Sequence, residues 1–196
     1  MYALDIETDT ERGGLDPRVA PIVAIAVSGA SGSVVFSGVE RDVLSEVDAH
    51  LAALAPGVIV TWNGARFDLP FIGDRANHLG LALGLELVVD LRSRTHREPL
   101  PGHEGGYLAR WHTHSHLDAY RVYRGDLGAS LGLPCGLKTL ARLAGLEPVE
   151  VDRTAIHELS DEALNAYVAS DAELTRELAL RRWPTAARAI DAVPRP

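Results

Sequence analysis

The sequence predicts an α/β domain on a mixed five-stranded sheet, an antiparallel meander followed by parallel strands, with helices against its faces. Two features predict it. Short β-branched runs separated by glycine-containing turns fill the first forty residues, and beyond them strand-like runs alternate with segments whose apolar residues recur at helical spacing. The length of 196 residues, 46% hydrophobic and 23% charged, suits one compact core. A single domain over residues 1–183 and a C-terminal tail over 184–196 are expected.

Tyr2 to Ile6, Val19 to Val27 and Ser33 to Phe36 are the strands of the meander, the last two joined by the turn-forming Ser28-Gly29-Ala30-Ser31-Gly32. Between Arg41 and Leu54, Val43, Leu44, Val47, Leu51 and Leu54 mark one face of a helix that Pro56-Gly57 closes. A fourth strand, Val58 to Thr61, leads through Trp62-Asn63-Gly64 to a helix from Asp68 to about Leu79, with Pro70 in its first turn. Leu85 to Val89 is the fifth strand. Arg92 to Trp111, with two prolines, three glycines and no periodicity, reads as a long loop, and Ser115 to Asp118 as a short strand or a connection. Helices follow at Ala119 to Tyr123, at Leu137 to Leu143 and, capped by Ser160, from Asp161 to about Arg182.

The net charge of −8 opposes nucleic-acid binding by bulk electrostatics. A site that concentrates carboxylates for divalent cations would account for part of the acidity. The positive charge is also uneven: Arg92, Arg94, Arg97, Arg110, Arg121 and Arg124 face only three acidic residues between positions 92 and 124. Lys138 is the one lysine among nineteen basic residues, so compositional bias explains some of this arginine. One cysteine, Cys135, excludes an intrachain disulfide and fits a reducing compartment. No apolar run has bilayer-spanning length and the start resembles no signal peptide, so a cytoplasmic protein without membrane contact is expected.

Three short patterns carry chemistry. In a strand, Asp5 and Glu7 point the same way, either as a solvated pair at a strand end or as two convergent ligands. Asp68 follows a glycine-containing turn at the end of an apolar strand, where it serves as a helix cap, a site carboxylate or both; Asn63 would hold that turn. Tyr167 and Asp171, four apart, share a helix face. His112, His114 and His116 alternate, so in an extended segment they would share a face, as a solvated run or as zinc ligands.

With Asp5-Ile6-Glu7-Thr8, Asn63 to Pro70 and Tyr167 to Asp171 in this order, the chain resembles the DEDD superfamily of 3′-5′ exonucleases on the ribonuclease H-like fold. Alanine at 166 and tyrosine at 167 fit the tyrosine subclass. Gly14-Leu15-Asp16-Pro17, His116-Leu117-Asp118 and Gly136 to Ala141 extend the likeness over residues 2 to 180, and the wording around Asp68 is closest to the exonuclease domains of family-B DNA polymerases. The resemblance implies two divalent cations, Mg²⁺ or Mn²⁺, with Asp5 bridging both, Glu7 and Asp171 on the first and Asp68 on the second. Tyr167 would orient the attacking water, since a phenol with an ordinary pKa near 10 is a poor base.

The implied partner is a 3′ end of single-stranded DNA, with RNA as the rival polymer and a non-catalytic binding module as the rival class. Thr8, Trp62, Asn63 and Phe67 are candidate substrate contacts, as is Leu69, the apolar ones stacking on bases or packing into the core. Arg92, Arg94 and Arg97 are candidates to meet the incoming strand.

Overall fold

A computed structural model of the chain describes residues 1–91, 106–191 and 193. The predicted meander is present. β1 (Tyr2–Thr8) pairs antiparallel with β2 (Ile22–Gly29), and β2 pairs likewise with β3 (Gly32–Ser37). The second strand starts at Ile22 and not at Val19: a buried Arg75 guanidinium donates to the Pro17 carbonyl, and Glu40 accepts the Ile22 amide, so the chain bends into the sheet there. Arg75 and Glu40 form a bidentate pair at 2.8 and 2.7 Å, joining α1 (Glu40–Ala53) to α2 (Asp68–Leu79).

Seven strands are present where five were expected. The sheet runs β3-β2-β1-β4-β7-β6-β5, with β4 at Val58–Thr61, β5 at Leu85–Val89, β6 at Tyr107–Trp111 and β7 at His114–Asp118. Only β1, β4 and β7 run parallel; β6 and β5 turn back antiparallel beyond them. The expected loop thus ends in a strand, and Ser115 to Asp118 is a strand as well. Their hairpin escaped the sequence reading because its turn carries no glycine: His112 takes the left-handed conformation at φ 50°. A β-carbon on Gly84 would collide with the His112 ring, so the glycine that makes this turn possible lies on the neighbouring connection.

Residues of β1 divide the interior between two layers. Leu4 and Ile6 pack with Val43, Leu44, Val47 and Leu51 of α1 and Leu69, Phe71 and Ile72 of α2. Ala3 faces the opposite side with Val60, Leu117 and Ala119. There the helices are α3 (Ala119–Tyr123), which continues through a π-helical turn at Arg124–Gly128 into α4 (Ala129–Leu131), then α5 (Leu137–Leu143), the long α6 (Asp161–Arg181) and α7 (Trp183–Ala186). Asp191 returns to the sheet: its amide donates to His116 O of β7, and its carboxylate accepts from His116 Nδ1 and the Ala109 amide of β6. No helix among the described residues is long and apolar enough to cross a membrane.

Candidate active site

β1 pairs with β4 only at Tyr2↔Ile59 and Ala3↔Val60, while its pairing with β2 continues to Thr8. The sheet therefore parts along the second half of β1, and the cleft opens at that parting. Asp5 and Glu7 point to the α6 side, opposite Ala26 and Ala24 of β2. Those two alanines and Ala3 are fully buried, and such small side chains let the helix lie close to the sheet. Tyr167, Val168 and Ala172 of α6 pack directly on Ala24 and Ala26. This brings Asp171 to the strand: one carboxylate oxygen from each of Asp5, Glu7 and Asp171 lies within 4.8 Å of the others.

Asp68 reaches the same cleft from the other layer. The helix cap is Phe67, which makes no side-chain capping bond, so Asp68 is the first helical residue and not the cap. Its own amide and the amide of Ile6, in the half of β1 that β4 no longer accompanies, lie near enough to favour its charged form. The preceding turn is tightly held. Asn63 is left-handed at φ 70°, its carbonyl accepts the amides of Arg66 and Phe67, and its own amide donates to Asp118 Oδ1 at 2.9 Å. A β-carbon on Gly64 would run into the Thr61 side chain, so only glycine fits there.

Burial and crowding of negative charge act together on these carboxylates. Asp5 is pushed well above the usual range by burial and then by Asp68, Glu7 and Asp171. Glu7 is raised to about 8, by burial and then by Asp171, and Asp68 to about 7, chiefly by burial. Asp171 rises to about 6 through burial, held back mainly by Lys138. Lys138 Nζ lies 3.6 Å from Asp171 Oδ1 and 4.0 Å from the centre of the Tyr167 ring. The Tyr167 hydroxyl and Asp171 Oδ1 are buried side by side, yet neither completes a well-formed hydrogen bond. Burial and the nearby carboxylates raise the phenol far above its ordinary pKa.

The predicted substrate contacts separate. Thr8, Trp62, Asn63 and Phe67 all line the cleft, an open volume of about 1250 Å³. Thr8 is nonetheless buried and donates to the Gly14 carbonyl, bracing the loop after β1. Trp62 donates to the Cys135 carbonyl and packs against Tyr120 and Tyr123, leaving one part of the ring toward the cleft. Leu69 is a core residue at 1% exposure, which removes it as a base contact. Arg92, Arg94 and Arg97 lie outside the described residues.

The three alternating histidines do not converge on a metal. His112 and His114 bond the Asp48 and Leu51 carbonyls, and His116 bridges Thr61 and Asp191. Three site residues were missed as such by sequence reasoning: Lys138, Arg153 and Asp118. Lys138 and Asp118 lay in stretches noted for their similarity, but nothing in their spacing showed that Lys138 would line this cleft or that Asp118 would brace the Asn63 turn behind it.

A family model for the exonuclease domain of family B DNA polymerases matches residues 30–130. The chain belongs to that family. It is an exonuclease domain of the DEDD type, and the ribonuclease H-like fold agrees with the sheet described above. The family B DNA polymerase of the hyperthermophilic archaeon Pyrobaculum calidifontis superposes with a TM-score of 0.71 at 25% identity, over 93% of this chain and 24% of that one. DNA polymerase 2 of Aeropyrum pernix is 32% identical over 111 residues, and the DNA polymerase epsilon catalytic subunit of Eremothecium gossypii 30% over 146. These cover 55% and 72% of this chain but only 13% and 6% of the relatives, so the chain corresponds to a small part of each.

Proposed function

We propose that this domain removes nucleotides one at a time from the 3′ end of DNA by phosphodiester hydrolysis, with two divalent cations, Mg²⁺ or Mn²⁺, held by Asp5, Glu7, Asp68 and Asp171. The observation that carries the reading is the convergence of Asp5, Glu7 and Asp171 from two elements, with Asp68 facing the same cleft from a third. The donor set fits hard cations: it is all oxygen, its members repel one another, and Asp171 Oδ1 completes no well-formed hydrogen bond. Bound there, the cations would stabilise charge on the attacking and departing oxygens of an in-line displacement.

The chain's own groups would do the rest. Tyr167, too weak an acid to serve as a base, offers its hydroxyl as a donor beside Asp171 and so orients a water. Lys138 fixes the Tyr167 ring and Asp171 in that relation. Phe67, Trp62 and Tyr120 form an apolar rim on which the terminal bases can stack. Residues 1–183 would carry the activity, with the C-terminal segment strapped to the sheet through Asp191.

The test is incubation of purified protein and Mn²⁺ or Mg²⁺ with 5′-labelled single-stranded DNA, duplex DNA and RNA. A ladder shortening from the 3′ end of DNA is expected. Degradation of RNA alone would replace the polymer in this reading, and binding without degradation would replace the enzyme by a binding module. Asp5→Ala and Asp171→Ala should each lower the rate by about 10³-fold or more while the fold persists.

A further inference from the structure

Four basic side chains line the cleft, and among the described residues three are already engaged. Arg124 donates to the Tyr120 hydroxyl, Arg142 pairs with Glu150, and Lys138 is shared between the Val149 carbonyl, Glu150 and Asp171. Arg153 is exposed and makes no hydrogen bond or ion pair among the described residues. It is nevertheless close enough to act on Asp5, Glu7 and Asp171, whose negative charge it offsets in part.

Its mounting is firm. Asp152 accepts from the Thr154 amide and hydroxyl at 2.9 and 2.7 Å, and its carbonyl accepts the Ala155 amide. The next residues form a short 3-10 turn, Ile156–Glu158, whose Ile156 is buried with Tyr167 and Val168. His157 Nδ1 lies 2.9 Å from Thr10 Oγ1, which ties this turn to the loop after β1. A free guanidinium on a fixed turn beside a carboxylate cluster is placed to bind an anion that the cluster alone would repel. Its planar fork matches two oxygens of a phosphate.

We infer that Arg153 receives the phosphate of the scissile linkage, gripping its non-bridging oxygens at the edge of the carboxylate cluster, and is a substrate-positioning residue of this site. The inference rests on the hydrolase reading above. A guanidinium that only offset the carboxylate charge would behave differently: its removal would tighten cation binding and leave the affinity for nucleic acid unchanged.

Wild type, Arg153→Ala and Arg153→Lys would be compared in three measurements. The first is kcat and KM with Mn²⁺ on 5′-labelled oligothymidylate and on the p-nitrophenyl ester of thymidine 5′-monophosphate, which retains the scissile phosphate without the upstream strand. The second is the salt dependence of binding to an oligothymidylate whose last linkage is an uncleavable methylene phosphonate. The third is the Mn²⁺ concentration for half activation.

Arg153→Ala should lower kcat/KM by about 10²-fold on both substrates and reduce the log-log salt slope by about 0.7, as expected for one lost phosphate contact on a single strand. Arg153→Lys should recover the slope but only part of kcat/KM, because an ammonium cannot grip two oxygens. Wild-type kcat/KM and slope in Arg153→Ala would overturn the inference, and so would an unchanged slope with tighter Mn²⁺ activation. A loss confined to the oligonucleotide would overturn it too, placing Arg153 on the upstream strand. If the wild type cleaves neither substrate, the hydrolase reading fails, and a slope difference between the proteins would still support the phosphate contact.

Discussion

Tyr167 shows how a single position combines structure and chemistry. Its ring is fully buried among the alanines of β2, Val168 and Ala172, while its hydroxyl is buried without a well-formed partner. A buried polar group left unsatisfied is a cost to the fold, so removing it should not destabilise. Tyr167→Phe is expected to keep or raise the melting temperature while lowering kcat by about 10-fold to 10²-fold, with KM little changed. A fall in stability together with a wild-type kcat would show that the hydroxyl serves packing alone. At this scale the pairing of Asp5 with Glu7 and of Tyr167 with Asp171 was legible from spacing, since the periods of strand and helix dictate which side chains share a face, while only the family resemblance put the two pairs in one site. Arg153 was not, because one arginine among eighteen carries no local mark and its role depends on which loop lies over the cleft.

Elements bring the site together through what they lack. β2 has alanine at positions 24 and 26, opposite Glu7 and Asp5, and α6 settles into the space. Ala26→Leu should cost about 1–3 kcal/mol by overpacking and lift α6 from the sheet. Because Asp171 travels with the helix, activity should fall by far more than stability, and Mn²⁺ activation should need a higher concentration. Wild-type Mn²⁺ activation in a folded Ala26→Leu protein would show that α6 does not set the distance between the carboxylates. The sequence displayed these alanines only as apolar residues in a strand. Their consequence depends on what crosses them, which periodicity does not report. The hairpin of β6 and β7 was hidden for a different reason, since its left-handed turn residue is His112 and the glycine that makes room for it is Gly84, far away in sequence.

For the whole molecule, the burial of these crowded carboxylates has a consequence that can be measured. Glu7 moves from an ordinary 4.5 to about 8 on folding, and Asp68 and Asp171 move from 3.8 to about 7 and about 6. Between the unfolded and folded values the folded metal-free protein binds more protons than the unfolded chain, so these groups favour folding fully below about pH 4 and lose that contribution as pH rises toward 8. In EDTA, the melting temperature should therefore fall from pH 5 to pH 8. Mn²⁺ should reverse the trend by taking the place of the protons, and Glu7→Gln should flatten it. An EDTA profile that is the same in wild type and Glu7→Gln would mean that Glu7 is not crowded as described. The order of the motifs along the chain made the fold class legible, since three strands in a meander need only local pairing. The strand from Tyr107 to Trp111 escaped because the hairpin turn that follows it carries no glycine, and Ser115 to Asp118 was legible only as a short strand or a connection.

The approach of the Ile6 amide to Asp68 bears on how a nuclease-dead reagent should be built. Where β1 leaves β4, the Asp68 carboxylate lies near the Ile6 amide, which favours its charge. Replacing Asp68 by alanine removes a proposed ligand and also a charged neighbour of the backbone that carries Asp5 and Glu7, so an inactive variant could not say which loss mattered. Asp5→Asn or Asp171→Asn keeps that neighbour in place. Trapping or binding studies built on either would report on an undisturbed cleft.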